Sequence, residues 1–436
     1  MNKKALLLNL PFHRRVIRDY GCPHGVKANY YWPPIDLLMF GAVVRKEASL
    51  AYIDAVAGNR SEQHVVTAVQ DLRPDAIVTV LSSITLESDL RLLSEIRRVC
   101  PGTKIWATGD VVFFGNSDIP GIDYRVGDLT NGNAILDLWR GSAGSGVIQQ
   151  TPAAEFSIGI CPHELIRPYS YAMPYSLHSG ITSVLTNYGC PFSCTFCNSN
   201  RFGFKRRRTD EIIEELLYIQ HLGIREVLVR DFTFNMSDAD LICDEMIRNR
   251  IQLKWSCWTS AALVSKEILR KMKAAGCYLI SYGAESGDDV ILQKAQRPVL
   301  ADRLKLAVGM TKAAGIEVQT SFIIGFPGEG RDKTLSFIRD IDPDYLSLNI
   351  LAPRLGTAMT EATLPEAIGD RTDSLLSSDA ALVSFRDAVE KRFFLRPRKL
   401  LRYFFLSTKS PFRLMIFLRT GLSLLRRWIR PSRHGS

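Results

Sequence analysis

Short apolar runs rich in β-branched residues alternate, from Ala5 onward, with longer stretches whose apolar positions recur every three to four residues. This is the pattern of βα units on a mostly parallel sheet. Strands are predicted at 5–9, 50–54, 76–81, 104–108 and 124–126, and helices at 34–46, 62–72, 87–99 and 133–139. Together they make one doubly wound, Rossmann-like domain over 1–140. The small-residue run Gly141-Ser142-Ala143-Gly144-Ser145-Gly146 breaks the period, so 141–179 reads as an irregular connector. A second βα series begins at Ile181, with strands predicted at 181–186, 226–230, 253–257, 278–283, 318–324 and 345–351. Six units fall short of the eight that close a full barrel, so 180–357 is expected to form an open, partial (β/α)6 barrel. Beyond Arg354 the strand pattern stops, and 358–436 reads as a helical C-terminal region. The fold class is α/β.

Composition adds limits. In 436 residues, 46% hydrophobic and 23% charged with mean hydropathy near zero, nothing suggests a collagen-like, low-complexity or polytopic membrane protein. The net charge of +10 is local: residues 391–436 hold 13 Lys or Arg and no Asp or Glu, which leaves 42 basic against 45 acidic residues elsewhere, or −3. A nucleic-acid face spread over the body is therefore not expected, and nucleic acid is not a predicted partner. On a helical wheel from Arg413, cations at 409, 413, 419, 426, 427 and 430 fall on one arc, and Leu414, Phe417, Leu418, Leu422, Leu424, Leu425, Trp428 and Ile429 on the other, with Ile416 the exception. Arg413 and Arg419 interrupt any membrane-spanning run. The tail is expected to lie on an anionic membrane surface; packing on the barrel is the alternative.

Met1-Asn2-Lys3-Lys4 leads into only a short apolar run, which matches a first buried strand and not a secretory signal, so the expected location is the cytoplasm, peripheral on the inner face of the membrane. Nine cysteines in a reducing compartment point to metal or redox chemistry wherever they cluster. They cluster once, in the loop after the first strand of the second series: Gly189-Cys190-Pro191-Phe192-Ser193-Cys194-Thr195-Phe196-Cys197. No fourth Cys or His follows within twenty residues. Structural zinc wants four closed ligands and an electron-transfer cluster four cysteines, so both lack one here. Three thiolates can instead hold three irons of a cubane and leave the fourth iron open.

This CxxxCxxC, with Phe196 beside its last Cys, resembles the signature of the radical S-adenosylmethionine (SAM) superfamily, and further motifs follow in order. Asp231-Phe232-Thr233-Phe234-Asn235 is similar to a stretch of the cobalamin-binding-domain subgroup. Gly283-Ala284-Glu285-Ser286-Gly287 ends the fourth strand, Ile324-Gly325-Phe326-Pro327-Gly328-Glu329 follows the fifth, and Pro353-Arg354-Leu355-Gly356-Thr357 follows the sixth.

The resemblance implies a 4Fe-4S cluster on Cys190, Cys194 and Cys197. SAM would chelate the open iron, and one electron would cleave it to a 5′-deoxyadenosyl radical that abstracts hydrogen from substrate. A flavodoxin or ferredoxin would supply the electron. It further implies that Asp231 accepts from the SAM amino group, that Glu285 and Ser286 bind ribose or carboxylate, and that Ile324 and Gly325 face adenine, with Phe196 beside them. The plain alternatives are a helix cap for Asp231 and a turn for Gly325 to Glu329. Relatives often place an Arg after strand three to meet the SAM carboxylate; here Ser260 stands there.

A doubly wound domain ahead of such a barrel is similar to enzymes that hold cobalamin between the two, and Pro33-Pro34-Ile35-Asp36-Leu37 resembles the start of their first helix. An Asp-x-His-x-x-Gly ligation motif is absent, and Gly109-Asp110 and Gly127-Asp128 replace the usual Gly-Gly and Gly-Glu. Small residues such as Ser82, Ser83 and Gly109 would let a macrocycle approach at a switch-point loop; the alternative is a domain that only covers the barrel mouth. Cys22 with His24, and Cys161 with His163, read as surface turn residues. The expected function is modification of an unactivated carbon of a hydrophobic small molecule or lipid, by methyl transfer through cobalamin or by oxidative cyclisation without it. The rival from another class is a non-catalytic iron-sulfur protein. No catalytic residue is assigned from sequence.

Overall fold

The computed structural model describes residues 3–429 apart from 22, 29, 116–117, 143–145, 360–368, 370–372, 374–378 and 409. Two parallel six-stranded sheets carry it. In the N-terminal sheet the order is Ala48–Asp54, Lys3–Asn9, Ala76–Val80, Lys104–Thr108, Tyr124–Val126 and Val147–Ile148. The order reverses between Lys3–Asn9 and Ala76–Val80, as in other doubly wound folds, so the crevice for a ligand would lie at the carboxyl ends of these two strands. Ala76–Val80 is buried throughout, with helices on both faces, which explains its continuous apolar run.

The second sheet runs in chain order, Thr182–Val184, Glu226–Val229, Lys254–Trp258, Cys277–Glu285, Glu317–Ile324 and Tyr345–Ile350, the partial (β/α)6 barrel expected from the pattern. Its strand Glu317–Ile324 alternates strictly between half-buried and buried positions. Gln319, Ser321 and Ile323 line the lumen, while Val318, Phe322 and Ile324 join the core under the outer helices.

The connector is more regular than its composition predicts. Val147–Ile148 becomes the sixth strand of the first sheet, and Glu155–Phe156 pairs with Phe204–Arg207, itself paired with Asn187–Gly189. A three-stranded patch thus joins the two halves.

At the C terminus, helices Ala380–Phe394, Pro397–Ser407 and Pro411–Ile429 pack along the last barrel strand. The wheel's polar and apolar arcs exist, but their orientation is not the expected one. Arg413 is 2% exposed, its Nη2 2.5 Å from Glu317 and 2.9 Å from the Tyr345 hydroxyl, and Arg427 pairs with Glu390. Ile416, the exception on the wheel, is buried beside Arg413, whereas Leu414, Leu418, Leu422, Leu425 and Ile429 are exposed. Glu317 at a barrel strand start and Glu390 on the helix Ala380–Phe394 draw the cations inward, an attraction that a wheel of the isolated helix does not contain. Lys409 and Arg430 lie outside the described residues.

Candidate functional site

The cysteine loop leaves the first barrel strand through a turn that only glycine fits. Gly189 has φ +76°, and a Cβ there would lie 1.6 Å from the Gly203 carbonyl oxygen. The loop is then closed by Cys190 N donating to Ser199 O at 3.2 Å and Cys197 N to Cys194 O at 3.0 Å, and tied to the fourth βα unit by Thr195 N to Ala295 O at 3.1 Å. Cys190 and Cys194 are buried, Cys197 is half-buried, and all three are free thiols on the wall of one cavity of about 740 Å3 in the barrel lumen. Each sulfur has a polar neighbour: Arg297 Nη1 donates to Cys194 Sγ at 3.4 Å, Ser199 Oγ lies 2.9 Å from Cys197 Sγ, and Thr233 Oγ1 lies 4.0 Å from Cys190 Sγ. Burial pushes the Cys190 and Cys194 thiols up, and the Arg297 guanidinium opposes this at Cys194.

This donor set fits a multi-iron group better than a single zinc. Zn–S bonds of about 2.3 Å would draw three sulfurs close together. Among the described residues, the ligand atoms that gather within 4.8 Å of one another belong to Cys161, His163 and Glu215, not to the three thiols. Among the described residues, no fourth cysteine lines the cavity.

The other predicted residues divide. Glu285 lines the cavity at φ +63°, a strained conformation for a residue with a side chain, where the ladder to the fifth strand shifts register. Burial raises its carboxyl pKa, opposed by Arg297 at 3.9 Å. Phe196 also lines the cavity and meets Phe326 edge-on at 5.8 Å between ring centroids.

Asp231 reaches the wall, but its oxygens are occupied. They accept from Thr186 N at 2.7 Å, Asn187 N at 3.2 Å, Asn187 Nδ2 at 2.9 Å and the Thr186 hydroxyl. Burial raises its pKa to about 6 despite those bonds. Asp231 therefore caps no helix; it fixes the strand end from which the cysteine loop departs.

Three predicted residues lie off the cavity wall. Ser286 does not line the cavity: its hydroxyl lies 3.2 Å from Thr334 Oγ1 and accepts from Asp288 N at 3.1 Å, opening the next helix. Ile324 points into the core, because the alternation of its strand gives the lumen to Ile323 instead. Gly325 makes the turn, its N–H donating to Glu329 Oε2 at 2.8 Å.

Three cationic residues of the cavity, Lys27, Arg230 and Arg297, escaped the sequence reading; Lys27 lies 3.6 Å from Glu390. Arg297 follows Glu285 by twelve residues and returns only through the fold, donating to Gly283 O at 2.7 Å as well as to Cys194. Arg230 lies between Trp32 of the N-terminal half and Trp258 of the barrel, 4.9 and 4.7 Å from their ring centroids, and pairs with Asp19. Its position beside Asp231 at a strand end was the available signal. Ser260, where relatives carry Arg, lines the cavity and caps Ala262 N at 3.3 Å.

The switch-point crevice of the N-terminal sheet is filled by the chain itself. Arg18, wholly buried, donates to Asp89 at 2.7 Å, Asn9 Oδ1 at 3.0 Å and Leu10 O at 2.7 Å. Ser83 donates to Asp110 at 2.6 Å, and a Cβ on Gly109 would lie 2.1 Å from Leu81 O. Asp128 is taken up by Lys205 of the barrel half at 2.6 Å. Between the halves, Phe113 and Phe202 rings meet at 3.9 Å and Tyr20 stacks on Tyr188 at 4.5 Å. Among the described residues, these polar groups at the strand ends of the N-terminal sheet are thus partnered with one another or with the barrel half.

Cys161 and His163 are buried, not surface turn residues. Glu215 accepts from Cys161 N at 3.0 Å, lies 2.9 Å from His163 Nε2 and pairs with Arg207, a closed network. Cys22 lies outside the described residues.

Residues 184–341 match the family model of the radical SAM superfamily. An uncharacterized methyltransferase of Pyrococcus horikoshii is 25% identical over 367 residues, 76% of this chain and 78% of that one. An anaerobic magnesium-protoporphyrin IX monomethyl ester cyclase of Rubrivivax gelatinosus is 25% identical over 38% of this chain, which spans about a third (32%) of that enzyme. In fold, the chain is similar to the radical SAM methyltransferase TsrM of Kitasatospora setae, whose structure holds cobalamin and a [4Fe-4S] cluster, with a TM-score of 0.64 over 82% of this chain and 77% of that one at 16% identity.

Proposed function

We propose, from the match of residues 184–341 to the radical SAM family model, that the chain is a radical SAM enzyme, that Cys190, Cys194 and Cys197 hold a 4Fe-4S cluster, that SAM binds beside it, and that the enzyme modifies an unactivated carbon of a hydrophobic small molecule or lipid, by methyl transfer. One observation carries the reading: Cys190, Cys194 and Cys197, the cysteines of this cavity among the described residues, share its wall with Arg230, Arg297 and Glu285. When bound, the cluster supplies the electron that cleaves the SAM sulfonium.

The chain's residues supply position and polarity. Arg297 places positive charge against Cys194 and holds Glu285 at the lumen, where that carboxylate can accept from a ribose hydroxyl or an amino group. Arg230, set between two indoles, offers the cation for the SAM carboxylate that Ser260 cannot. Asp231 acts indirectly, through Thr186 and Asn187, to place the loop. Phe196 and Ile323 make an apolar wall for adenine, the role first given to Ile324. At the far end of the cavity Trp428, Phe417 and Leu424 line space suited to an apolar substrate. A low-potential flavodoxin or ferredoxin in the cytoplasm is the reductant, and the basic tail faces an anionic membrane.

Methyl transfer is supported by the methyltransferase relative that spans most of the chain. Cyclisation is the second reading, favoured by the cyclase relative that matches 38% of the chain. Anaerobic reconstitution with iron and sulfide, followed by dithionite and SAM, tests the proposal. Iron-sulfur absorption with 5′-deoxyadenosine formation is expected, and an iron-loaded, reduced protein that leaves SAM intact would overturn it. Hydroxocobalamin retained through desalting favours methyl transfer; its loss favours cyclisation.

A further inference from the structure

We infer that the two last helices form an apolar platform that rests on an anionic bilayer, and that the lumen opens through this platform, so an amphiphilic lipid enters the site from the membrane and not from water. The inference rests on the lumen being the reaction site and adds the route by which substrate reaches it.

Three observations meet at Pro397–Ser407 and Pro411–Ile429. First, of seventeen large hydrophobic side chains exposed among the described residues, eleven fall between Leu395 and Ile429. So dense an apolar surface on one pair of helices marks a contact with another phase or partner. It is not a loose arrangement of the tail, because the same helices are fixed to the barrel by Arg413 with Glu317, Arg427 with Glu390 and the Tyr403 hydroxyl donating to Asp344 O at 2.6 Å.

Second, the charge this segment itself carries is of one sign, and the barrel neutralises only part of it: Asp342 and Asp344 pair with Arg396, Lys399 and Arg402. Residues 391–436 carry thirteen Lys or Arg and no Asp or Glu, and with Arg413 and Arg427 turned inward, Arg398, Arg419 and Arg426 remain exposed beside the leucines. Apolar residues flanked by uncompensated cations complement an anionic leaflet, into which the former insert while the latter meet headgroups. None of the described helices is long and apolar enough to cross a membrane, so the platform lies on it.

Third, the platform and the cavity share residues. Leu400, Phe404, Leu414, Leu418 and Leu425 are exposed and also line the lumen cavity, which extends without interruption to Cys190, Cys194 and Cys197. Leu401, Phe405, Leu422 and Ile429 are exposed without lining it. The first group makes a mouth and the second its surround. Gly421 stands at the mouth, where a Cβ would meet nothing within 4 Å.

Flotation of the full chain with vesicles tests the docking. Binding to phosphatidylglycerol vesicles, loss of binding in high salt and little binding to phosphatidylcholine are expected, and the double variant Phe405→Glu/Leu422→Glu should bind at least tenfold more weakly with its unfolding temperature unchanged. A wild-type chain that stays in solution, a variant that floats equally well, or a dimer that vesicles do not dissociate, which would mean that a second copy covers the face, each overturns the docking. The route is tested with a pyrene-labelled fatty acid carried in the vesicles, read by energy transfer from tryptophan. Gly421→Phe, which adds bulk at the mouth without a new tryptophan donor, should float normally and take up the probe at least tenfold more slowly; uptake at the wild-type rate overturns the route. Neither measurement uses SAM, so a chain that passes both yet fails to cleave SAM refutes the proposed reaction and leaves the portal standing.

Discussion

The two sheets of this protein have similar architecture and opposite interiors at their carboxyl ends. In the N-terminal sheet, the strand-end crevice is filled with partnered polar groups: Arg18 on Asp89, Ser83 on Asp110, Lys205 on Asp128. In the barrel the strand ends surround about 740 Å3 of space whose lining includes three thiols, three arginines, Lys27 and Glu285. The fold offers a crevice in both places, but side chains decide whether it becomes a binding site or a support. The filled edge is bonded to the barrel half through Lys205 and the aromatic stack, and so holds the open edge in shape.

The largest test of this contrast is Cys194→Ser. It should abolish iron-sulfur absorption and 5′-deoxyadenosine formation while leaving the far-ultraviolet dichroism unchanged. A variant that keeps its cluster would deny that the open edge is a metal site. On the filled edge, Arg18→Met should instead act on stability alone, costing about 3–5 kcal/mol in urea unfolding, because it leaves Asp89 buried without its cation. Adding Asp89→Leu should recover most of that loss. If Arg18→Met unfolds like the parent, the crevice is not held by this pair.

The same contrast explains what could be read from the chain. All six barrel strands and five of the six N-terminal strands follow from periodicity, because apolar spacing is a local property. The sixth, Val147–Ile148, is too short to show a period and exists only because Tyr124–Val126 offers an edge. Cys190, Cys194 and Cys197 were legible because their spacing is itself the signal. Arg297 was not, since its return to Cys194 depends on a helix of six residues, Asp289–Lys294, and the turn after it. Ile324 and Ser286 were misplaced for a different reason. A motif gives the neighbourhood, but the alternation of the strand and the turn at its end decide which of two adjacent residues faces the lumen.

Asp110 sharpens the comparison through pH. Burial raises its pKa from 3.8 to about 6, even with Ser83 bonded to it. The folded protein therefore prefers the protonated acid: the stabilisation is complete below the unfolded value and is lost as pH rises through about 6. At about 1.4 kcal/mol per unit, the swing approaches about 3 kcal/mol. Stability measured between pH 4 and 7 should decline more steeply in the parent than in Asp110→Asn, and parallel profiles would show that this carboxyl titrates normally.

On the open side, Arg297→Gln should lower the midpoint potential of the cluster, since it withdraws a cationic donor from Cys194, and slow SAM cleavage about tenfold, or ~1.4 kcal/mol in the barrier. An unchanged potential would reduce Arg297 to a strut for Gly283.

The finest test uses two adjacent residues. Glu285 faces the lumen and Ser286 the next helix, so Glu285→Gln should weaken SAM binding about tenfold with stability nearly constant. Ser286→Ala should leave SAM binding alone and cost about 1 kcal/mol of stability, the usual loss when a hydroxyl that caps a backbone N–H is removed. Titration of the anaerobic, cluster-loaded variants with SAM, set beside their urea unfolding, reads both quantities. If the two effects trade places, the strand end is rotated by one residue from the arrangement described, and the lumen would then be lined by Ser286 in place of the strained Glu285.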